Sequence, residues 1–258
     1  MPTVKQDPYA TLADIYDYIM RHVDYDHWAR YIDSIIQRFG QRPEKMVDLA
    51  CGTGNLTFEL DQLDYAVTGV DGSRGMLRVA REKASRRGRE IDFLHGDLRQ
   101  LSGLGPFDAA ICLYDSFNYL LTAEDVSRAL EEVYRILLPQ SLFVFDVCTE
   151  QNSLRYFRDL NDAESGPGFS YRRHSYYRRR KRTQYNHFFI EFEGRAEVSE
   201  ELHEQYIYPW KDLVAHVKAS RFELLDAFDG FTFQKGSARS DRIHFVLRRP
   251  EARAARPN

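Results

Sequence analysis

The run Lys-Met-Val-Asp-Leu-Ala-Cys-Gly-Thr-Gly-Asn, from Lys45 to Asn55, reads as a buried strand that ends in a glycine turn and opens into a helix over Leu56 to Leu63. Gly52 and Gly54 carry no Cβ and can take positive φ, so main-chain amides at the start of that helix can approach a bound polar or anionic group. Strand, turn and helix form one binding unit and commit the chain to an α/β architecture. A second apolar strand, Ala66 to Val70, puts Asp71 about 20 residues past the turn, where two carboxylate oxygens suit the two hydroxyls of a ribose. Other readings of the same residues exist. A glycine pair after a strand is common, and Asp71 could cap the helix that begins near Ser73. A dinucleotide-binding turn wants a third glycine for close helix packing, but the residue three beyond Gly54 is Thr57.

Taken together, Val47-Asp-Leu-Ala-Cys-Gly-Thr-Gly and Val70-Asp-Gly-Ser resemble the cofactor motifs of class I S-adenosylmethionine (SAM) dependent methyltransferases. The resemblance covers most of the chain, is strongest over 45–148 and is weak over 149–210. It implies SAM as cofactor, with Asp48, Ala50, Gly52 and Gly54 at the turn and Asp71 on the ribose. By position it also implies that Asp97 and Leu98, in Gly96-Asp-Leu, hold the adenine, with Met76 on the ring face and Leu113 in the same pocket. An N-terminal helix lies across the active site in this family, which would bring Tyr9, Tyr16 or Tyr25 near cofactor or substrate. Taken alone, Asp97 is an ordinary turn residue and Met76 an ordinary apolar helix residue. Among subgroups, the chain is similar to the small bacterial enzymes related to sugar-amine and glycine N-methyltransferases.

Composition fits such a chain. At 258 residues, 43% hydrophobic and 14% aromatic, it can bury a full core. The N-terminus lacks the apolar run of a signal peptide, and no stretch approaches the ~20 apolar residues of a membrane span, so a cytoplasmic protein with no membrane partner is expected. A net charge of -3 gives no global reason to expect nucleic acid. Cys51, Cys112 and Cys148 lack metal-ligand spacing and are expected as reduced core residues.

Helical spacing over Pro8 to Arg38 predicts two helices, with Asp14 and Asp17 in solvent. Further on come a helix at Ser73 to Arg87, a strand at Ile91 to His95, a strand at Asp108 to Leu113, a helix at Ala123 to Leu137 and a strand at Leu142 to Val147. The family usually has glycines in the turn before that last strand, and Gln140 and Ser141 depart from the pattern. Beyond Asp146 the texture changes: Phe169 to Tyr177, Gln184 to Glu193 and Glu197 to Tyr208 alternate with the period of antiparallel strands. The α/β pattern returns with a helix at Lys211 to Ser220 and strands at Glu223 to Phe228 and Ile243 to Arg248. The expected fold is α/β: a doubly wound, seven-stranded, mostly parallel Rossmann-like sheet with an inserted antiparallel β lid and N-terminal helices. Residues 1–148 and 211–249 would form the core, with a helical cap at 1–40, the lid at 149–210 and a disordered tail at 250–258.

The segment after the fourth strand, Tyr114-Asp-Ser-Phe-Asn-Tyr-Leu, lies where ligands sit in open α/β sheets. Tyr114, Phe117 and Asn118 are therefore candidates for substrate contact. In the third insert strand Glu201, His203 and Gln205 share one face; Gln205 is a candidate for substrate contact, and His203 is either that or a surface residue. Methyl transfer from a sulfonium needs alignment and dryness rather than a metal, and an acceptor carrying a proton benefits from a base, for which Asp115 and His203 are the candidates. Asp115 could instead hydrogen-bond a turn. The cations Arg172, Arg173, Arg178 to Arg180, Lys181 and Arg182, interleaved with tyrosines, would suit RNA, yet the acids Glu191, Glu193, Glu197, Glu200, Glu201 and Glu204 follow and would pair with them across strands. The expected partner is a small-molecule N or O acceptor, to a protein that is monomer or homodimer. RNA methylation and SAM binding without catalysis are the alternatives.

Overall fold

The computed structural model describes residues 2–251. The chain opens with a short strand, β1 (Thr3–Gln6), then a single turn at Leu12–Asp14, α1 (Tyr16–Ile19) and α2 (Tyr25–Phe39). Asp24 caps α2 by accepting from the His27 amide at 2.9 Å, and Gly40 ends it. The α/β repeat follows: β2 (Met46–Leu49), α3 (Asn55–Gln62), β3 (Val67–Asp71), α4 (Arg74–Arg87), β4 (Phe93–His95), β5 (Phe107–Cys112), α5 (Ala123–Ile136) and β6 (Leu137–Cys148). Gln140, at the irregular start of β6, has φ 68°, the left-handed conformation that glycine enters most readily. Next come α6 (Glu150–Tyr156) and four strands, β7 (Asp159–Gly166), β8 (Phe169–Arg178), β9 (Thr183–Phe192) and β10 (Val198–Tyr206). The chain closes with α7 (Trp210–Ala219), β11 (Glu223–Asp229) and β12 (Arg242–Arg248).

Seven strands form one sheet in the order β11-β12-β6-β5-β2-β3-β4. β4, β3, β2, β5 and β6 run parallel, and β12 enters antiparallel between β6 and β11. Because side chains alternate along a strand, Phe143, Phe145 and Phe245 face α5 and α7, where Val126, Leu130, Val133 and Leu213 cover them. Their neighbours Val144 and Val246 face Ile32, Ile35 and Ile36 of α2. Each fully buried side chain of this kind contributes roughly 1.5–3 kcal/mol, and both faces of the sheet depend on it. Among the described residues no helix is long and apolar enough to cross a membrane. Cys51, Cys112 and Cys148 are free thiols, the last two buried.

The second sheet, in the order β1-β10-β9-β8-β7, and the helix that leads into it depart from the sequence reading in three places. β1 was not foreseen: it is four residues long and lies parallel to β10, a pairing with no local signal. β7 was also missed, because Asp-Leu-Asn-Asp-Ala-Glu-Ser-Gly is rich in residues depleted from strands. It is an edge strand whose acids meet β8, with Asp162 3.1 Å from Arg173 and Asp159 2.7 Å from His174. The charge ladder expected across the insert therefore draws many of its acids from β7 and α6: Arg172 is 4.0 Å from Glu191, but Arg179 pairs with Glu150 at 3.4 Å. The third omission is α6, capped by Thr149. Most of the tail expected to be disordered, 252–258, lies outside the described residues.

His244 is the unusual core residue. It faces α2, with its ring 5.0 Å from that of Tyr31 and 5.6 Å from that of Trp28. Burial, helped by the neighbouring Arg242, pushes its imidazole down to about 3. An unfolded histidine titrates near ~6.5. Between that value and about 3 the unfolded chain binds the extra proton, so stability is lost as pH falls through this window. His244→Leu should remove that loss, up to about 1.4 kcal/mol per pH unit, in melts recorded from neutral to acid pH. Parallel curves for variant and wild type would contradict it.

Candidate functional site

The carboxyl ends of the parallel strands open into a cavity of about 790 Å³, walled also by the N-terminal segment and the inner face of the second sheet. At its floor the chain leaves β2 with Ala50 at φ 58° and Gly52 at φ 57°, which turns the peptide plane of Gly52 towards β3. The Gly52 amide donates to Asp71 Oδ2 at 2.8 Å, and the Ser73 amide donates to Oδ1 at 2.7 Å. Burial raises the Asp71 carboxyl above its ordinary range, and the two amides offset only part of that rise. Each oxygen keeps a lone pair for a further donor. Asp48 lies deeper; burial lifts it to about 7 although the Thr57 hydroxyl donates to it at 2.6 Å.

Met76, Asp97, Leu98 and Leu113 also line the cavity. Asp97 is gripped by Arg99, whose Nε lies 2.9 Å from Oδ1 and whose terminal nitrogen lies 2.6 Å from Oδ2, and this holds the carboxyl below its ordinary range. Gly54 does not reach the cavity. It caps α3 at φ 79°, and a Cβ there would meet the Phe93 ring at 2.9 Å, so its smallness serves packing rather than ligand approach.

Beyond β5, Tyr114 and Asp115 both adopt left-handed backbone, at φ 62° and 53°. Two such residues in succession cost roughly 1–3 kcal/mol each and persist only where the surroundings hold them. Asp146 does so by accepting the Asp115 amide at 3.2 Å. Arg242 donates to Asp146 and, at 2.7 Å, to Asp115 Oδ1, while Gln205 donates to Asp115 Oδ2 at 2.6 Å. Both carboxylate oxygens of Asp115 are thus engaged. The turn also decides which neighbours face the cavity: Tyr114, Asp115 and Tyr119 do. Phe117 does not, contrary to expectation; it stacks on Phe145 with ring centres 4.2 Å apart in the core. Asn118 also turns inward, accepting from the Cys148 amide at 2.9 Å and donating to the Tyr206 carbonyl at 2.9 Å.

Tyr9, Tyr16 and Tyr25 of the N-terminal segment close the cavity. Glu201 anchors that segment, accepting the amides of Tyr9 at 2.7 Å, Thr11 at 2.5 Å and Leu12 at 2.8 Å. Asp17 fastens it at a second point: its side chain stays 42% exposed, as expected, but it also accepts from Thr53 at 2.6 Å and from Lys83 at 2.8 Å. Asp14 is paired with Arg78. On the inner face of β9 and β10, Gln184, Asn186, His203 and Gln205 present polar groups to the cavity. Sequence reasoning missed Arg242, Tyr119 and the anchoring role of Glu201. Glu201 had a signal, since it shares the period-two face of His203; Arg242 had none, being far from Asp115 in the chain.

The methyltransferase domain family matches residues 46–140. YqeM of Bacillus subtilis (strain 168), named as a methyltransferase with no acceptor in its name, is 32% identical over 240 residues, 92% of this chain and 95% of that one. The dTDP-4-amino-2,3,4,6-tetradeoxy-D-glucose N,N-dimethyltransferase of Saccharopolyspora spinosa is 35% identical over 138 residues, 52% of this chain and 53% of that one. In fold, the chain is similar to the crystal structure of a S-adenosylmethionine-dependent methyltransferase from Clostridium acetobutylicum ATCC 824, with a TM-score of 0.79 at 23% identity, covering 93% of this chain and 98% of that one.

Removing Arg242 leaves Asp146, which is fully buried, without its counter-charge. Arg242→Met should cost about 3–5 kcal/mol in denaturant unfolding at neutral pH. A loss below about 1 kcal/mol, the range of an exposed ion pair, would show that solvent reaches Asp146.

Proposed function

The chain belongs to the class I S-adenosylmethionine-dependent methyltransferases, and from that premise we propose that it methylates an amine on a small-molecule acceptor. The observation that carries this reading is the joining of two unlike halves in one cavity, a nucleoside-sized cleft at the strand ends and a polar, roofed space beneath the second sheet. Volumes of ~300–1,000 Å³ hold drug-sized ligands, and about 790 Å³ has room for a nucleoside and a small acceptor. The half-length similarity to a sugar amine dimethyltransferase supports nitrogen as the receiving atom. Arg179 to Arg182 lie in the β8–β9 turn and form no part of the cavity wall, and Arg173, the insert cation that does line it, is paired with Asp162, which counts against an RNA-gripping role.

The residues at the strand ends fit SAM. Asp71 has one free lone pair on each oxygen for a vicinal diol, Asp97 keeps an accepting position for an exocyclic amine, and Met76 and Leu98 offer flat apolar contact. Ala50, Gly52, Asp48, Leu113 and Tyr16 complete that end. When bound, SAM supplies an electrophilic methyl group on a sulfonium. The protein contributes alignment, which can be worth ~7–11 kcal/mol. Tyr9, Tyr16, Tyr25 and Tyr114 line the cavity and exclude water, and an aromatic face set against a sulfonium would attract it by ~0.5–2 kcal/mol. Residues 149–210 act as the acceptor-facing lid through Gln184, Asn186, His203 and Gln205. Of the two candidate bases, a proton taken up by Asp115 would sit beside the Arg242 guanidinium, whereas one taken up by His203 would sit beside the Glu201 carboxylate, which leaves His203 better placed.

Asp71→Asn keeps the shape but replaces one acceptor oxygen by a donor. It should weaken S-adenosylhomocysteine by roughly ten- to a hundredfold in calorimetry, the ~1.5–3 kcal/mol of a hydrogen bond to a charged group. Unchanged affinity in a folded variant would mean that the ribose lies elsewhere. Mass spectrometry of small amines, small alcohols and RNA incubated with SAM and the protein should show a methyl added to an amine. Methylation of RNA alone would overturn the small-molecule reading.

A further inference from the structure

Four side chains form a continuous hydrogen-bonded line along the cavity wall. The hydroxyl oxygens of Tyr9 and Tyr119 are 2.6 Å apart, Tyr119 Oη is 3.1 Å from His203 Nδ1, and His203 Nε2 is 3.2 Å from Glu201 Oε2. The direction of every bond in this line follows from its inner end. Glu201 accepts three backbone amides, and these with His203 hold it ionised against the burial that would protonate it. An ionised carboxylate only accepts, so the histidine nitrogen facing it is the one that carries hydrogen. In the neutral imidazole Nδ1 must then accept, and the Tyr119 hydroxyl donates to it. With its own hydrogen committed, Tyr119 accepts from Tyr9. The oxygen of Tyr9 is left with a free lone pair in a residue that lines the cavity.

Resting on the amine-methylation reading above, we propose that Tyr9, Tyr119 and His203 form a one-way proton wire that takes the proton an amine sheds on methylation, with Glu201 as the positioning residue that sets its direction. The acceptor N–H donates to Tyr9 Oη. As that N–H bond breaks, Tyr9 passes its own hydrogen to Tyr119 Oη and Tyr119 passes its hydrogen to His203 Nδ1. The amine nitrogen loses one proton, each phenol ends as it began, and His203 becomes an imidazolium against the Glu201 carboxylate. The proton returns to water when the cavity opens to release product. Burial raises both phenols well above their ordinary range, so neither is a standing phenolate base, and a concerted passage that leaves each neutral is the route they permit. The titratable groups around His203 are Glu201 on its own strand, Tyr9, Tyr119 and, behind Gln205, Asp115 paired with Arg242; the Phe188 ring closes the remaining side.

The test is NMR of the full-length protein labelled at histidine nitrogen, at neutral pH with S-adenosylhomocysteine, with His203 assigned by the loss of its signals in His203→Gln. The expected spectrum has hydrogen on Nε2 and a hydrogen-bonded acceptor at Nδ1; Tyr119→Phe should shift Nδ1 to the value of an unbonded nitrogen. Hydrogen on Nδ1 in the wild type reverses the wire and overturns the proposal. With an amine found in the acceptor screen, Tyr119→Phe should lower kcat by roughly a hundred- to ten-thousandfold, leaving S-adenosylhomocysteine affinity unchanged. Full kcat in that variant also overturns it. The spectrum needs no acceptor, so a failed screen counts against the reading of the preceding section and not against the wire.

Discussion

The peptide turn after β2 is the constraint on which the rest of the molecule depends. Left-handed backbone at Ala50 and Gly52 aims the Gly52 amide at Asp71, and that one bond joins the ends of two parallel strands across the crevice. In an open parallel sheet the crevice beyond the carboxyl ends of the strands is where ligands bind, because helices cover both faces. The turn makes that crevice deep enough for a nucleoside and places an ionisable acceptor at its floor. Gly54 serves the same end indirectly, since the Phe93 ring fills the space that a Cβ would need and so fixes α3 against β4.

A second carboxylate, Glu201, does for the roof what Asp71 does for the floor. Its oxygens collect three amides from the chain's first segment, which would otherwise be a short strand and a few single turns with little core of its own. Together with Asp17 and the packing of Leu12 and Ile15 on Phe188 and Ile190, they fix Tyr9 and Tyr16 over the cavity. The strained pair Tyr114 and Asp115 is held in a similar way, by the buried Asp146 and by Arg242 from β12. Strained backbone at Tyr114 and Asp115, buried charge at Asp146 and the Glu201 network gather at the cavity, while the sheet beneath it, His244 apart, buries mainly apolar side chains on both faces. A rigid floor and a polar, hydrogen-bonded roof suit alignment of two small molecules better than recognition of a large one.

Much of this was legible in the sequence. The seven strands of the main sheet follow from apolar runs separated by helical spacing, and the floor of the site from one motif and the acid after the next strand. The face of β10 that carries Glu201, His203 and Gln205 was readable because burial alternates from Ser199 to Tyr206. What stayed hidden has physical reasons. Phe117 and Asn118 sit in the right loop but point into the core, because two left-handed residues rotate the chain before them, and no residue type announces such a turn. β7 carries acids chosen to meet the cations of β8, so its composition imitates a loop. β1 and Arg242 act through partners distant in the chain, and a single sequence holds no record of that proximity.

The central claim is that the β2 turn and Asp71 receive the nucleoside of S-adenosylmethionine. Calorimetric titration of the protein with S-adenosylhomocysteine, beside NAD and NADP, tests it before any acceptor is known. Binding of S-adenosylhomocysteine alone is the predicted result. Binding of a dinucleotide alone would keep the turn as a nucleotide site and contradict the methyl-transfer account built on it.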